Sequence, residues 1–386
     1  MHGISRRMSA LPGFKLLTAS LILVAGLAGN ASCAWNLAPG TSGMFMQSLF
    51  ASGNTVYAGT QDKGLFTLAA DGTGFKAGPA SLAAEKVSGF AQSGSRIYAG
   101  TSLGVFVTED AGAQWKRLSN ESNTDGVISI AASGTTVFAG TFLGLYISRN
   151  SGTDWTEVTN GPSTGDWVES ISITGNHVFL GVAEGFFGSK RIWHSSDLGA
   201  TWKTITYASM DARPEKVLAL GNNLLVSTQD SLYYSPDLGA TWTKSPAQAK
   251  VFGQSTFFNA MDYAAGTILT DRGDSTFLSS DSGKTWIQIR GVPEAPYAFT
   301  ITDGFAFTGT VSDGSQGLYF APRSGIAAIR TLAHAITKAR IDEPLLWIGG
   351  GRMLTSGSNG SGSAMGKRVV DPLGRIPYVG ATGSKN

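Results

Sequence analysis

Residues 195–202 read S-S-D-L-G-A-T-W, and this octamer decides the fold because it recurs along the chain. Close copies are residues 235–242 (S-P-D-L-G-A-T-W) and 279–286 (S-S-D-S-G-K-T-W). Looser copies are residues 108–115 (T-E-D-A-G-A-Q-W) and 148–155 (S-R-N-S-G-T-D-W), and a relic at 69–75 keeps Gly72 three residues before an aromatic. Repetition of this kind indicates that one structural unit is used several times.

The octamer predicts a tight turn between two strands, which we call the octamer turn. Its acidic or amide side chain accepts backbone N–H bonds, its glycine takes a positive φ, and its tryptophan opens the next strand and packs on a neighbouring sheet. Gln114 and Asp154 replace the usual threonine, so we expect looser turns in those two copies. The residues given these structural roles are Asp110, Asn150, Asp197, Asp237, Asp281, Trp115, Trp155, Trp202, Trp242 and Trp286.

A second repeated pattern sets the number of units. The stretch V-Y-A-G-T at 56–60 recurs as I-Y-A-G-T at 97–101 and V-F-A-G-T at 137–141, with weaker versions near 178, 224, 268 and 305. The interval of about 40 residues is typical of a four-stranded propeller blade. The sequence therefore predicts an all-β fold: a single seven-bladed β-propeller of four-stranded antiparallel blades over residues 35–320.

The last repeat lacks its fourth strand. Residues 296–320 supply three strands and no octamer follows, whereas Trp35, Asn36 and Leu37 resemble the fourth strand that begins at Trp115. We expect this N-terminal strand to pair with the third strand of the last blade, which closes the ring and removes two free sheet edges.

The octamer resembles the Asp-box, or BNR repeat, of sialidase-like β-propellers. The resemblance implies that the octamer turns are structural and lie on the face opposite the ligand site. A sialidase would need an early arginine, and the mature chain has none before Arg96. The repeats also resemble family 74 xyloglucanases, which use a cleft between two propellers, and propellers of the photosystem II assembly factor type, which bind protein partners.

The two ends of the chain read differently from the repeats. Residues 1–34 carry three basic and no acidic residues and a 13-residue apolar run, which predicts a secretory signal peptide and a secreted protein. Lipidation of Cys33 is the alternative. Residues 321–386 form a C-terminal tail with a short helix expected at 325–340, a Ser/Gly-rich linker at 354–366 and a segment at 369–375 that resembles a bacterial secretion-sorting core.

Charge and composition exclude several function classes. The propeller segment 35–320 carries 17 basic and 24 acidic residues, and the tail carries nine and three, which is not a nucleic-acid-binding distribution. His177, His194 and His334 fall in separate repeats without ligand spacing, so the sequence indicates neither a metal site nor a cofactor. We expect a monomer without a transmembrane segment in the mature chain.

Candidate ligand-binding residues lie in the loops on the face opposite the octamer turns, where function usually concentrates. We expect a secreted, non-catalytic binding or scaffold module that takes a protein or carbohydrate ligand. The alternative is a glycoside hydrolase with paired carboxylates on this face, such as Asp166 with Glu184. The residues predicted to contact the ligand are Trp167, Glu184, Phe187, Lys190, Arg191, Arg213 and Arg272.

Overall fold

Short strands in seven sheets make up the fold. The computed structural model describes residues 34–118, 126–185, 189–205, 214–228, 231–245, 261–264, 266–272, 275–289, 291–312 and 314–324. These residues all belong to the first of the two units, Met1–Ala339 and Arg340–Asn386, into which the chain divides. Residues 1–33 of the predicted signal peptide, including Cys33, lie outside the described residues, as do the helix predicted at 325–340, the linker and the sorting-like segment.

Each sheet is one four-stranded antiparallel blade, and seven blades form a propeller ring, as the repeats predict. Blades 1 and 2 contain β2 (Met46–Ser52), β3 (Thr55–Thr60), β4 (Leu65–Ala69), β5 (Lys76–Ala77), β6 (Val87–Ser93), β7 (Arg96–Thr101), β8 (Gly104–Thr108) and β9 (Lys116–Arg117). A 3-10 turn, Ala80–Leu82, lies between these two blades. Blades 3 and 4 contain β10 (Val127–Ser133), β11 (Thr136–Thr141), β12 (Gly144–Ser148), β13 (Thr156–Glu157), β14 (Trp167–Thr174), β15 (His177–Ala183), β16 (Lys190–Ser195) and β17 (Lys203–Ile205).

The remaining three blades follow the same order. Blades 5 and 6 contain β18 (Pro214–Leu220), β19 (Asn223–Thr228), β20 (Leu232–Ser235), β21 (Thr243–Lys244), β22 (Met261–Ala264), β23 (Thr267–Arg272), β24 (Ser275–Ser279) and β25 (Ile287–Ile289). Blade 7 contains β26 (Pro296–Ile301), β27 (Phe305–Thr310), β28 (Gly317–Pro322) and, at its outer edge, β1 (Asn36–Leu37).

The ring is closed by the N-terminal strand, and this prediction is confirmed. In β1, Asn36 pairs with Phe320 and Leu37 with Tyr319, both in the third strand of blade 7. The contact continues beyond the strand, because the Ala38 N–H donates to the Leu318 carbonyl at 2.7 Å. One blade is therefore built from both ends of the propeller segment.

The octamer turns share one hydrogen-bond pattern. In the copy at 195–202, the Ser195 hydroxyl donates to Asp197 Oδ1 at 2.7 Å and accepts from the Gly199 N–H at 2.7 Å. Asp197 also accepts from the Thr201 N–H at 2.8 Å and from its hydroxyl at 2.6 Å. These bonds hold the pKa of Asp197 well below its usual range. The Asp197 carboxylate therefore stabilises the turn by accepting its hydrogen bonds.

Two copies depart from this pattern in different ways. Gln114 donates only its backbone N–H to Asp110, at 2.9 Å, so the copy at 108–115 lacks the second side-chain bond that threonine supplies. In the copy at 148–155, the Asn150 amide donates to Asp154 Oδ2 at 2.7 Å. The expectation of a looser turn is wrong for this copy. Here the third residue of the octamer donates and the seventh accepts, so the side-chain bond across the turn is kept with its direction reversed.

The aromatic residue that opens each fourth strand packs between its own blade and the preceding one. Trp202, for example, packs against buried residues of blade 3, including Phe138 and Ile147, and of blade 4, including Val178 and Leu180. Seven apolar clusters, one at each junction around the ring, thus make up the core. The fourth-strand aromatic residues in these clusters are Phe75, Trp115, Trp155, Trp202, Trp242, Trp286 and Trp35.

Candidate functional site

The antiparallel strand order defines two faces of the ring. The turns between first and second strands and the octamer turns lie at one edge of every blade, which we call the lower face. The turns between second and third strands and the connections from one blade to the next lie at the opposite edge, which we call the upper face. Of the residues predicted to contact a ligand, those that the structure describes lie in upper-face loops or at strand ends beside them: Trp167, Glu184, Lys190, Arg191 and Arg272.

An apolar patch on the upper face joins blades 3 and 4. Phe142 and Leu143 form the turn between β11 and β12, and their side chains are 42% and 51% exposed. Trp167, the first residue of β14, is half-buried, and its ring meets Phe142 edge-to-face with a centroid distance of 4.9 Å. Phe142 and Leu143 expose hydrophobic surface, and together with Trp167 they form what we call the apolar patch.

The blade-linking loop fixes the position of this patch. The Gly165 N–H donates to the Leu143 carbonyl at 3.2 Å, which ties the loop before Trp167 to the turn of the neighbouring blade. The loop is closed on itself, because Asp166 Oδ2 accepts from the Ser163 N–H at 2.8 Å. A backbone hydrogen bond from a closed loop therefore joins the two blades at the apolar patch.

A charged cluster lies beside the apolar patch. Lys190 Nζ donates to Glu169 Oε2 at 2.8 Å and to Glu215 Oε2 at 2.7 Å, which links the inner strands of blades 4 and 5. Both glutamates occupy the extra position of a β-bulge at the start of their strands. A bulge turns such a residue out of the regular alternation, which aims both carboxylates at one ammonium. We call Glu169, Lys190 and Glu215 the ion-pair bridge.

Burial and charge oppose each other at this bridge. Burial lowers the pKa of Lys190, but the hydrogen bonds that it donates to Glu169 and Glu215 outweigh burial and raise the pKa above its usual value. For Lys216, burial dominates over the attraction of Glu169 and Glu215, and the pKa is lowered. The bridge is thus a fixed, charged element on the upper half of blades 4 and 5.

Replacing Lys190 by methionine should destabilise the protein. The substitution keeps most of the side-chain volume but leaves two carboxylates facing each other without their shared cation, which we expect to cost roughly 2 kcal/mol at pH 7. Urea unfolding of the wild type and the variant measures this cost. A Lys190→Met protein as stable as the wild type would contradict the bridge.

The structure brings together some of the predicted ligand residues and separates others. Trp167 and Lys190 lie at the same end of blade 4, where both pair with Ala183, and Arg191 binds Glu184 at 2.6 Å in that blade. Arg272 is the last residue of β23 in blade 6. Phe187 and Arg213 lie outside the described residues. Of the two carboxylates named by the hydrolase alternative, Glu184 binds Arg191 and Asp166 accepts from the Ser163 N–H.

The histidines correct one expectation. His177 and His194 do not fall in separate repeats: both belong to blade 4, and Nδ1 of His177 lies 2.9 Å from Nε2 of His194. The ring of His194 also stacks on Phe179 with a centroid distance of 4.5 Å. The pair sits at the end of the strands nearest the octamer turn of Asp197, so it belongs to the lower face. Strand register across β15 and β16 brings the two histidines together.

The histidine pair should make stability depend on pH. Burial, followed by the charges of His177 and Lys203, lowers the pKa of His194 to about 4, while Asp197 acts in the opposite sense. An unfolded histidine takes up a proton near pH 6.5, so the stabilisation is complete above that pH and is lost as pH falls to about 4.

We expect a loss of roughly 2 kcal/mol over this interval, measured by urea unfolding at pH 7 and pH 4.5. His194→Phe retains the stacking on Phe179 and removes the titration, so it should flatten the difference. The same pH dependence in both proteins would assign it to other groups.

Within the described part of the chain, no group of three or more His, Cys, Asp or Glu side chains is arranged to hold a metal ion. Among the same residues, no helix has the length and apolar character needed to cross a membrane.

Comparison with known proteins gives structural neighbours only. No protein-family model and no curated protein sequence matches the chain. Among solved structures, YCF48 bound to D1 peptide matches with a TM-score of 0.58 and 14% identity over 75% of this chain and 94% of that chain.

Two further neighbours are much longer than the region they share with this chain. The extracellular domain of a putative hybrid two-component system from B. thetaiotaomicron matches with a TM-score of 0.57 and 13% identity, over 75% of this chain and 40% of that chain. The GH74 xyloglucanase from Xanthomonas campestris matches with a TM-score of 0.53 and 14% identity, over 74% of this chain and 55% of that chain. At these identities the neighbours share the fold alone, and the chain is a seven-bladed β-propeller.

Proposed function

We propose that this chain is a secreted, non-catalytic β-propeller that binds a protein or carbohydrate ligand through the upper face of blades 3 to 5. The apolar patch carries the proposal. Four large apolar side chains are well exposed in the described part of the chain, and two of them, Phe142 and Leu143, are adjacent in one turn beside Trp167. Exposed apolar surface rimmed by polar groups is typical of an interaction site.

The placement of the octamers supports the same face. Their carboxylates and hydroxyls are engaged in turn hydrogen bonds on the lower face, so they are structural in the way that the Asp-box resemblance implies. Loops of varied sequence remain on the upper face, carried by rigid blades. A related arrangement is known to bind protein, since YCF48 has been solved bound to D1 peptide.

A glycoside hydrolase remains the second candidate because of one observation. Glu169 and Glu215 come from neighbouring blades and meet at Lys190, so they form a carboxylate pair of the kind that glycosidases use. The ammonium, however, occupies the space between them where the glycosidic oxygen would have to lie. This placement of the ammonium favours binding over hydrolysis.

The proposal is tested with the mature protein, residues 35–386, on a glycan array and in pull-downs. A ligand should be retained by the wild type, lost in the Phe142→Ser, Leu143→Ser double variant, and kept in Thr135→Ala, which changes an exposed residue on the lower face of the same blade. Sugar release from xyloglucan that is abolished by Glu169→Gln would overturn the non-catalytic assignment.

A further inference from the structure

Building on the proposed function, we propose that the ligand is a peptide segment in which an apolar side chain stands beside a lysine or arginine. The apolar side chain would dock on Phe142, Leu143 and Trp167. The cation would lie against Glu157 and Asp166, at the edge of the same patch. The partner is therefore a protein that presents a basic and apolar segment.

The apolar half of the site is formed by the turn that carries Phe142 and Leu143. Leu143 stands at the tip of a two-residue turn and is 51% exposed, and Phe142 packs its ring at 83° to that of Trp167. Because the two rings meet edge-to-face, they do not form one flat stacking surface. An aliphatic tip beside two tilted rings suits an apolar side chain that packs against their outer surface, as at the centre of protein interfaces.

The acidic half of the site is supplied by the loop that holds the patch. Asp166 directly precedes Trp167, and Glu157 Oε1 accepts from the hydroxyl of Thr164 in the same loop at 2.6 Å. No lysine or arginine of the described chain lies within ion-pair distance of either carboxylate. Each carboxylate keeps a negative charge that a ligand cation can neutralise. Residues 35–320 also carry more acidic than basic residues, and this excess negative charge attracts a cationic ligand at long range.

The alternative ligand, a carbohydrate, fits these observations less well. Sugar rings stack on open aromatic faces, and here the Phe142 and Trp167 rings cover part of each other. Sugar hydroxyls also gain nothing particular from two uncompensated carboxylates, whereas an ammonium or guanidinium does. The apolar tip and the two acidic groups together therefore select a peptide.

A designed peptide array tests this inference with the mature protein as probe. Each decapeptide carries a central Leu, Phe or Ser flanked by Lys, Glu or Gly, and binding spots are resynthesised with a fluorophore for anisotropy titration. Peptides with Leu or Phe beside Lys should bind best. Affinity should fall about tenfold or more in Leu143→Ser, and the salt dependence should weaken in Asp166→Asn. Thr135→Ala should match the wild type, and the melting temperature of each variant confirms that it is folded.

The outcomes separate the ligand class from the proposed function. Preference for Glu-flanked or Ser-centred peptides, or binding that Leu143→Ser leaves unchanged, overturns the peptide inference. If only oligosaccharides bind, and binding requires Phe142 and Leu143, the peptide inference fails while the binding function stands. If neither class binds and xyloglucan is hydrolysed, both proposals fail.

Discussion

A variant that lacks residues 1–42 should unfold at a much lower temperature than the mature chain and should aggregate. It loses β1 and the hydrogen bond from Ala38 to Leu318, and it removes Trp35 from the cluster between blades 6 and 7. Loss of a packed tryptophan alone costs about 3–5 kcal/mol, so we expect a total of roughly 5 kcal/mol. The open edge of β28 then becomes a template for pairing with another chain.

A second truncation controls for the removal of chain as such. A variant that begins at Trp35 and ends at Ser324 keeps all twenty-eight described strands and loses more residues than the first one. It should stay folded and soluble. Calorimetry and light scattering on both variants measure the effect, and equal melting temperatures for the 43–386 variant and the mature chain would show that closure contributes little.

Trp202→Ala should lower the free energy of unfolding by about 3–5 kcal/mol. The indole packs between blades 3 and 4 against Phe138, Ile147 and Val178, and the surrounding sheets cannot close the space that it leaves. The packing extends to the backbone, because a Cβ at Gly161 would lie 3.0 Å from the Trp202 ring. Urea unfolding monitored by circular dichroism measures the cost.

Two further variants serve as controls for this experiment. Trp202→Phe keeps part of the apolar surface and should recover about half of the loss, while Trp242→Ala, at the next junction, should cost a similar amount because it occupies the same place between blades 4 and 5. A Trp202→Ala protein as stable as the wild type would remove the packing role of this residue.

The fold could be predicted because each repeat contains the same turn and strand pattern. The strand order follows from the seven V-x-A-G-T-like stretches, and closure by residues 35–37 follows from the missing fourth strand. The backbone angles and side-chain bonds within the turns could not be predicted from the sequence. Leu198, before the glycine of its octamer, has a φ of 50°, a left-handed value that its residue type does not suggest. The Asn150–Asp154 bond also required seeing which two side chains cross the turn.

The candidate site could be predicted only in part. The positions of Trp167 and Lys190 on the upper face follow from strand order alone. The ion-pair bridge depends on two β-bulges that aim Glu169 and Glu215 inward, and nothing local in the sequence marks these bulges. Leu143 was missed because its exposure at the tip of the turn is a property of the folded blade. The contact of His177 with His194 likewise depends on the register between two strands.

Site-specific photo-crosslinking tests the central claim, binding on the upper face, most directly. A benzophenone amino acid replaces Leu143 on the upper face or Thr135 on the lower face of the same blade, and each mature protein is irradiated with the fluorescent Lys-flanked Leu peptide of the array. The account predicts a covalent adduct at position 143 that an excess of unlabelled peptide suppresses, and none at position 135. Equal labelling at both positions, or labelling at 135 alone, would contradict it.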